Sequence, residues 1–370
     1  MLDNNELLIK DIATINVGDL EFGKANLADK LDVKELESEI VNNNINRRDF
    51  GEFSLFKYSD LAMMRWAWSP TNMRTRGLII NNNSNEIVAR GFNKFFNYDQ
   101  LVRLGMNVDV DESGWVMDKL DGSLGIAFKH NGSWVVSTAG SLQSEQAIFA
   151  TELMNEKYAD TPFEQGKSLL FEIIFPENRI VTNYNGLSDL VLLGAVDING
   201  FWISPDDVEW SGLRADKKRG SIKEALETKD PEDGTEGFVI RTDSGLMVKI
   251  KFPHYLDLHR AKFGLTKKTV WTAIKDDTYN SMLLSTPDEF QDDMKKLHDE
   301  IMADFNAIAA EVDEFGASIP NSSRKDKVLW IKNAPGVSSR IKSLAITKFV
   351  AGNDIRAGIM KVIKQEGLLK

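Results

Sequence analysis

The sequence contains no cysteine and only four histidines, His130, His254, His259 and His298, in 370 residues. Disulfides, thiolate metal sites and a cysteine nucleophile are therefore excluded. The histidines show no spacing suited to a zinc site. No run of 18 apolar residues occurs, so no membrane-spanning helix is expected. The first ten residues carry acids where a secretory leader would carry bases, and a cytoplasmic location is the resulting expectation. Basic residues are in deficit: the formal net charge is -11, which taken whole opposes binding to nucleic acid. The deficit is uneven. From Pro320 to Lys370 there are 11 Lys and Arg against 3 Asp and Glu, a segment of +8 on a remainder of -19. A basic end on an acidic body suits a phosphate backbone, although solvated helix faces give the same composition.

What is present is a globular chain, 42% hydrophobic and 27% charged, long enough for two or three domains. Residues 1–50 read as a polar helical preamble, with Leu27, Leu31, Val33, Leu36 and Ile40 at helical spacing. From 51 to 258 short strands alternate with helices. Phe53 to Tyr58 is strand-like, and Arg76 to Ile80 and Glu86 to Arg90 flank a run of Asn and Ser that reads as a hairpin. His130-Asn131-Gly132-Ser133 and Asp243-Ser244-Gly245 read as further turns. Ser144 can cap a helix burying Ala147, Ile148, Leu153 and Met154, and Leu190 to Ile198 is apolar enough for a central strand. Ile222 to Glu227 reads as a short helix. From 259 to 370 strand alternation ends. A long helix follows Thr286-Pro287, with Phe290, Met294, Leu297, Ile301, Phe305, Ile308 and Val312 at helical intervals. Shorter helices are expected near Lys325 to Lys332, Ser338 to Val350 and Asp354 to Gln365. The expectation is an α+β antiparallel body followed by an all-helical domain.

Lys119-Leu120-Asp121-Gly122-Ser123 lies between an apolar run and a strand-like run. A lysine with its ordinary pKa of about 10.4 is a poor nucleophile at neutral pH, so one used there must be activated by its surroundings. Gly122 lets a turn bring its amides close to a phosphate, and Asp121 can orient a ribose hydroxyl or a side chain of the next strand. So short a string is also an ordinary solvated turn. Downstream, Glu172 interrupts the apolar run Phe171 to Phe175, Glu236 precedes Gly237-Phe238-Val239-Ile240, and Lys249 and Lys251 share a strand face. One lysine, two strand carboxylates and a lysine pair form a set suited to a nucleoside triphosphate with a divalent metal.

With these residues the sequence resembles the covalent nucleotidyltransferase superfamily of ligases and capping enzymes. Within it, the resemblance is to the phage-type RNA ligase 1 family, carried by Arg90-Gly91-Phe92-Asn93-Lys94-Phe95-Phe96-Asn97, Gly140 to Ala147, Asn178-Arg179-Ile180-Val181 and Tyr255 to His259. Leu124, where DNA ligases usually have Arg, agrees with it. The resemblance implies an adenylyltransferase domain over 51–258 and an RNA- or tRNA-binding helical domain over 259–370. It implies that Lys119 takes AMP from ATP, passes it to the 5′-phosphate of an RNA, and lets a 3′-hydroxyl displace it. Glu172 and Glu236 would touch the ribose or hold a metal through its waters, and Lys249 and Lys251 would brace the α-phosphate. Arg76 and Lys94 would be further cations at the nucleotide, Phe96 the ring under the adenine, and Leu120, Asp121 and Gly122 part of its cradle. Magnesium, or manganese in its place, is the implied ion, with Asp276 a candidate ligand in the helical domain. Nicked tRNA and an end-healing kinase or phosphatase are the implied partners. The sequence departs from the family at Ala139, often lysine, and at Leu120, often an acid. A DNA ligase or capping-type guanylyltransferase, and a non-catalytic nucleotide-regulated RNA-binding protein, are the competing expectations.

Overall fold

The computed structural model describes residues 31–286 and 288–365. They fall into two compact units, divided between Lys262 and Phe263.

The first unit opens with α1 (Val33–Val41), whose Asp32 cap accepts from the amides of Lys34 and Glu35. β1 (Ile45–Phe50) then pairs antiparallel with β2 (Phe53–Tyr58), so the end of the expected helical preamble is a strand. The reason is visible in its burial: Ile45 is buried while residues 46–49 are exposed, which leaves no alternation to read. Residues 1–30 of that preamble lie outside the described residues. After α2 (Asp60–Arg65) and α3 (Pro70–Met73), β3 (Leu78–Asn81) and β4 (Ile87–Ala89) complete a sheet in the order β1-β2-β3-β4. β5 (Phe96–Asn97) and α4 (Tyr98–Arg103) lead into β6 (Ser113–Lys119), β7 (Ser123–His130) and β8 (Ser133–Thr138). Asn131 and Gly132 both hold positive φ, 49° and 83°, as a two-residue hairpin turn requires.

α5 (Glu145–Glu156), capped by Ser144, buries Ala147, Ala150 and Met154. Ile148 is 49% exposed, against expectation, because it lies one residue around the helix from that stripe. β9 (Lys167–Ile174), β10 (Asp189–Asp197), β11 (Trp202–Ile203), β12 (Leu213–Arg214) and β13 (Lys217–Ser221) follow, then α6 (Ile222–Glu227), β14 (Gly237–Thr242), β15 (Met247–Lys251) and α7 (Pro253–Phe263). One sheet has the order β11-β10-β9-β7-β8, with β12 alongside β10. The apolar β10 is internal, as its composition demands. The other runs β13-β6-β14-β15-β5.

The register of this last sheet positions the site. Lys119 on β6 stands opposite Gly237 on β14, and Gly237 opposite Lys251 on β15. Two residues along, Met117, Val239 and Lys249 form the next row. Because side chains alternate, Val116, Phe238, Ile240, Val248 and Ile250 fall on the opposite face, where they form a core with Leu101 of α4 and Ile222 of α6. Gly237 has φ +139°, and a Cβ there would lie 2.1 Å from the Ile250 carbonyl oxygen.

The second unit is helical among its described residues: α8 (Lys267–Lys275), α9 (Tyr279–Ser285), α10 (Asp288–Ala317), α11 (Arg324–Asn333), α12 (Ser339–Ala345), a wider π turn at Ile346–Val350, and α13 (Arg356–Gln365). Met294, Ile301, Ile308 and Val312 of α10 are buried, joined by Ile331, Ile341, Ile359 and Ile363. Pro287, expected at the first position of α10, lies outside the described residues. The Thr286 hydroxyl donates to the Met282 carbonyl (2.8 Å).

Gly237→Ala is expected to destabilise the protein by about 2 kcal/mol or more, because the β14–β15 pair must part to admit a methyl group. Urea unfolding monitored by tryptophan fluorescence measures this. An unchanged midpoint would show that the close approach is not needed.

Candidate active site

β6 ends at Lys119 and the chain turns through Leu120, Asp121 and Gly122 into β7, so the lysine sits where two sheets meet. Its Nζ is 2.7 Å from Glu236 Oε2, and the other carboxylate oxygen of Glu236 is 2.7 Å from Lys251 Nζ. Glu236 is 3% exposed, Lys251 9% and Lys119 21%. A carboxylate so buried is tolerable only because both oxygens carry a cation. Lys119 keeps the larger opening to solvent.

Glu172 reaches the same point from β9. Its Oε1 accepts from the Gly122 amide (2.8 Å), and a Cβ on Gly122 would come within 2.6 Å of the Ile173 carbonyl oxygen. The glycine is thus required by the close passage of β9. Burial pushes the Glu172 carboxyl up to about 7; Lys119 opposes that shift and the Glu236 carboxylate adds to it. Near neutral pH the group therefore exchanges a proton readily, in contact with the Lys119–Gly122 turn.

Asp121, 3% exposed, faces inward. The amides of Val181 and Thr182 each donate to its Oδ2 at 2.7 Å, and the Tyr255 hydroxyl donates to its Oδ1 at 2.8 Å. Its backbone amide donates to the Tyr184 hydroxyl at 2.7 Å. Burial raises the Tyr184 phenol above its ordinary range. Of the two expectations for Asp121, the geometry is that of a side chain holding neighbouring protein groups, with its oxygens committed to three protein donors. Beside this turn lies a cavity of about 180 Å³, walled by Asp121, Gly122, Phe175, Asn178, Thr182 and Tyr184.

The other expected residues separate. Arg76 and Lys249 approach the same ring, Phe95, with cationic groups 5.3 and 5.6 Å from its centre. Phe96 differs from expectation: it pairs in parallel register with Val248, which turns it to the face opposite Lys249, and it is 7% exposed. There it packs against Trp66 and Trp68. Lys94, 4% exposed, has its ammonium 5.0 to 5.5 Å from the rings of Trp68, Phe96 and Tyr58. Leu120 packs against Ile174, Val191 and Ala215. Asp276 follows α8 in the helical unit and pairs with Lys275 at 2.8 Å. No group of three or more His, Asp or Glu poised around a metal occurs among the described residues. A cation here would have to draw on fewer protein ligands, with Glu172 and Glu236 the acidic groups at the lysine. Tyr184 was not singled out from the sequence; a lone aromatic in a turn-rich stretch carries no signal of its contacts.

Part of the chain is similar to known RNA ligases. Residues 74–255 match a family model described as RNA ligase. A protein of Autographa californica nuclear polyhedrosis virus, described as a bifunctional polynucleotide kinase/RNA ligase, is 26% identical over 264 residues, covering 64% of this chain and 36% of that one. One of Thermovibrio ammonificans described as an RNA ligase is 26% identical over 242 residues, covering 58% and 61%. The chain thus spans about a third and three-fifths of these relatives. Among solved structures, an archaeal ATP-dependent RNA ligase has 14% identity and a TM-score of 0.46, covering 88% of this chain and 96% of its own.

The raised Glu172 carboxyl has a consequence for stability. Below about pH 4.5 it is protonated both folded and unfolded; as pH rises through about 7 the folded state must ionise a buried acid, and the stability held at low pH is lost. Glu172→Gln removes that loss, so its stability relative to wild type should climb by up to about 3 kcal/mol between pH 4.5 and 8. Urea midpoints across this range test it, and a pH-independent difference would contradict it.

Proposed function

We propose that the protein is an ATP-dependent RNA ligase working through a lysyl-AMP intermediate on Lys119, a reading supported by the match of residues 74–255 to the RNA ligase family model. The observation that carries this reading is the single buried carboxylate of Glu236 gripping both Lys119 and Lys251.

Lys119 Nζ attacks the α-phosphorus of ATP, the nitrogen–phosphorus bond forms, and the bond to the bridging oxygen breaks as pyrophosphate leaves. Glu236, already in contact with that nitrogen, is placed to take the proton it must lose. Lys251 and Lys249 supply positive charge toward the phosphates from one strand face, with Arg76 contributing across Phe95. Glu172 and the Gly122 amide fix the turn, so the amine meets phosphorus from a constant direction. A divalent ion, when bound, would neutralise phosphate charge, with Glu172 and Glu236 the acids available to it. In the second and third steps AMP passes to a 5′-phosphate on RNA, and a 3′-hydroxyl displaces it. Repair of nicked tRNA is the finer reading. The basic helical unit, with Arg324, Lys325, Lys327 and Lys332 on or beside the exposed face of α11, supports a role for that unit in holding RNA. An end-healing kinase acting before this enzyme fits the description of the viral relative.

Incubation with ATP labelled at the α-phosphate should give an acid-labile adduct on the wild-type protein and none on Lys119→Ala, with Glu236→Ala reduced by at least about a hundredfold. Equal labelling of wild type and Lys119→Ala would end this reading. Removing residues from Pro320 onward should spare the adduct while impairing sealing of nicked tRNA; loss of both alike would assign the segment a structural role only.

A further inference from the structure

The β13 edge of the five-stranded sheet carries a second set of aromatic and basic side chains that adenylyl transfer leaves unused. Arg219, Trp115 and Arg241 stand side by side in register on β13, β6 and β14. Lys217 lies two residues along β13, level with Met117. Residues two and four apart on a strand share a face, so all of these project from the face that carries Lys119.

They are built around indole rings. Lys217 Nζ lies 3.6 Å from the centre of the Trp115 ring, and the Arg219 guanidinium lies 5.1 Å from it. The Arg241 guanidinium lies 5.2 Å from Trp202. The Lys217 side chain is only 7% exposed although it belongs to an edge strand, held down by the ring and by Asp206 at 2.7 Å. Arg219 is 46% exposed and meets Asp243 with two hydrogen bonds, 2.8 and 2.6 Å. Solvent-exposed pairs of this kind add little stability, so Asp243 can yield to a phosphate at small cost. Trp115 itself is partly exposed.

Lys119 lies four positions after Trp115 on β6, about 14 Å along the strand. A stacked nucleic acid strand advances about 3.4 Å per nucleotide, so the ring lies roughly two to four nucleotides from the amine. Aromatic faces alternating with cations are how single strands are held without base selection. We propose that this strip holds the 5′-phosphorylated RNA strand a few nucleotides from its reacting end, with Trp115 stacked on a base, Arg219 and Arg241 on flanking phosphates, and Lys217 bracing the ring. The inference rests on the ligase reading, since it needs the 5′-phosphate to lie at Lys119.

The test compares two donors on the full chain, a 5′-phosphorylated six-nucleotide RNA and a single nucleoside 3′,5′-bisphosphate too short to reach Trp115. Trp115→Ala should form the ATP-derived adduct normally, raise KM for the six-nucleotide donor about tenfold, and leave KM for the single nucleotide within about twofold. Trp115→Phe should restore most of the difference by keeping a ring. Arg219→Ala should weaken use of the longer donor alone, and Asp243→Asn, which removes the competing carboxylate, should strengthen it. Equal effects on both donors, or none on the longer one, overturn the proposal. Should wild type form no adduct, the ligase reading itself fails. Fluorescence anisotropy with the labelled six-nucleotide RNA then decides the strip: binding about tenfold weaker in Trp115→Ala upholds it, and equal binding overturns it.

Discussion

One buried carboxylate between two ammonium groups governs the arrangement of the first unit. Glu236 lies immediately before β14, Lys119 ends β6 and Lys251 ends β15, so the three meet only when both strand pairs hold their register. A slip of one residue would turn both lysines to the core face and bring Val248 or Ile250 to the site. The charges also constrain one another: withdrawing either lysine leaves an acid buried with one oxygen unpaired, which costs far more than the pair contributes. Gly237 makes this possible by leaving the row between the lysines empty of side chain.

Around that ion triad other acids fix the backbone of the lysine turn. Asp121 spends its oxygens on the 181–182 amides and on Tyr255, which ties the lysine turn to the loop after β9 and to α7 at once. Glu172 holds the turn from the other side through Gly122. The Lys119 amine is the most exposed of the three charged groups within this frame. Pre-set geometry of this kind is what an in-line displacement at phosphorus requires, because little of the work is covalent.

The legible parts of this structure are those where side-chain pattern and local chemistry coincide. β2, the Asn131-Gly132 turn and α6 fall where the sequence places them, since each is specified by its own residues. Glu172 and Glu236 stand out as acids in apolar runs, and the structure brings both to Lys119. What the sequence hides depends on partners distant along the chain. β1 is a strand because β2 lies beside it, and its own residues show no alternation. Phe96 carries a ring that could stack on a base as well as pack in a core; only its register with Val248 decides between these. Tyr184 reaches Asp121 across 63 residues of chain, a contact with no trace in local composition. The Trp115 strip is hidden for the same reason, since three strands far apart in sequence supply one row.

β13 is an outermost strand, and open sheet edges invite pairing with another molecule's edge. Its first three residues, Lys217, Lys218 and Arg219, place positive charge along that margin. A second sheet approaching to extend the ladder would bring like charges together before any backbone bond could form. Lys218 and Arg219, the exposed pair of the three, therefore oppose edge-to-edge pairing at this margin.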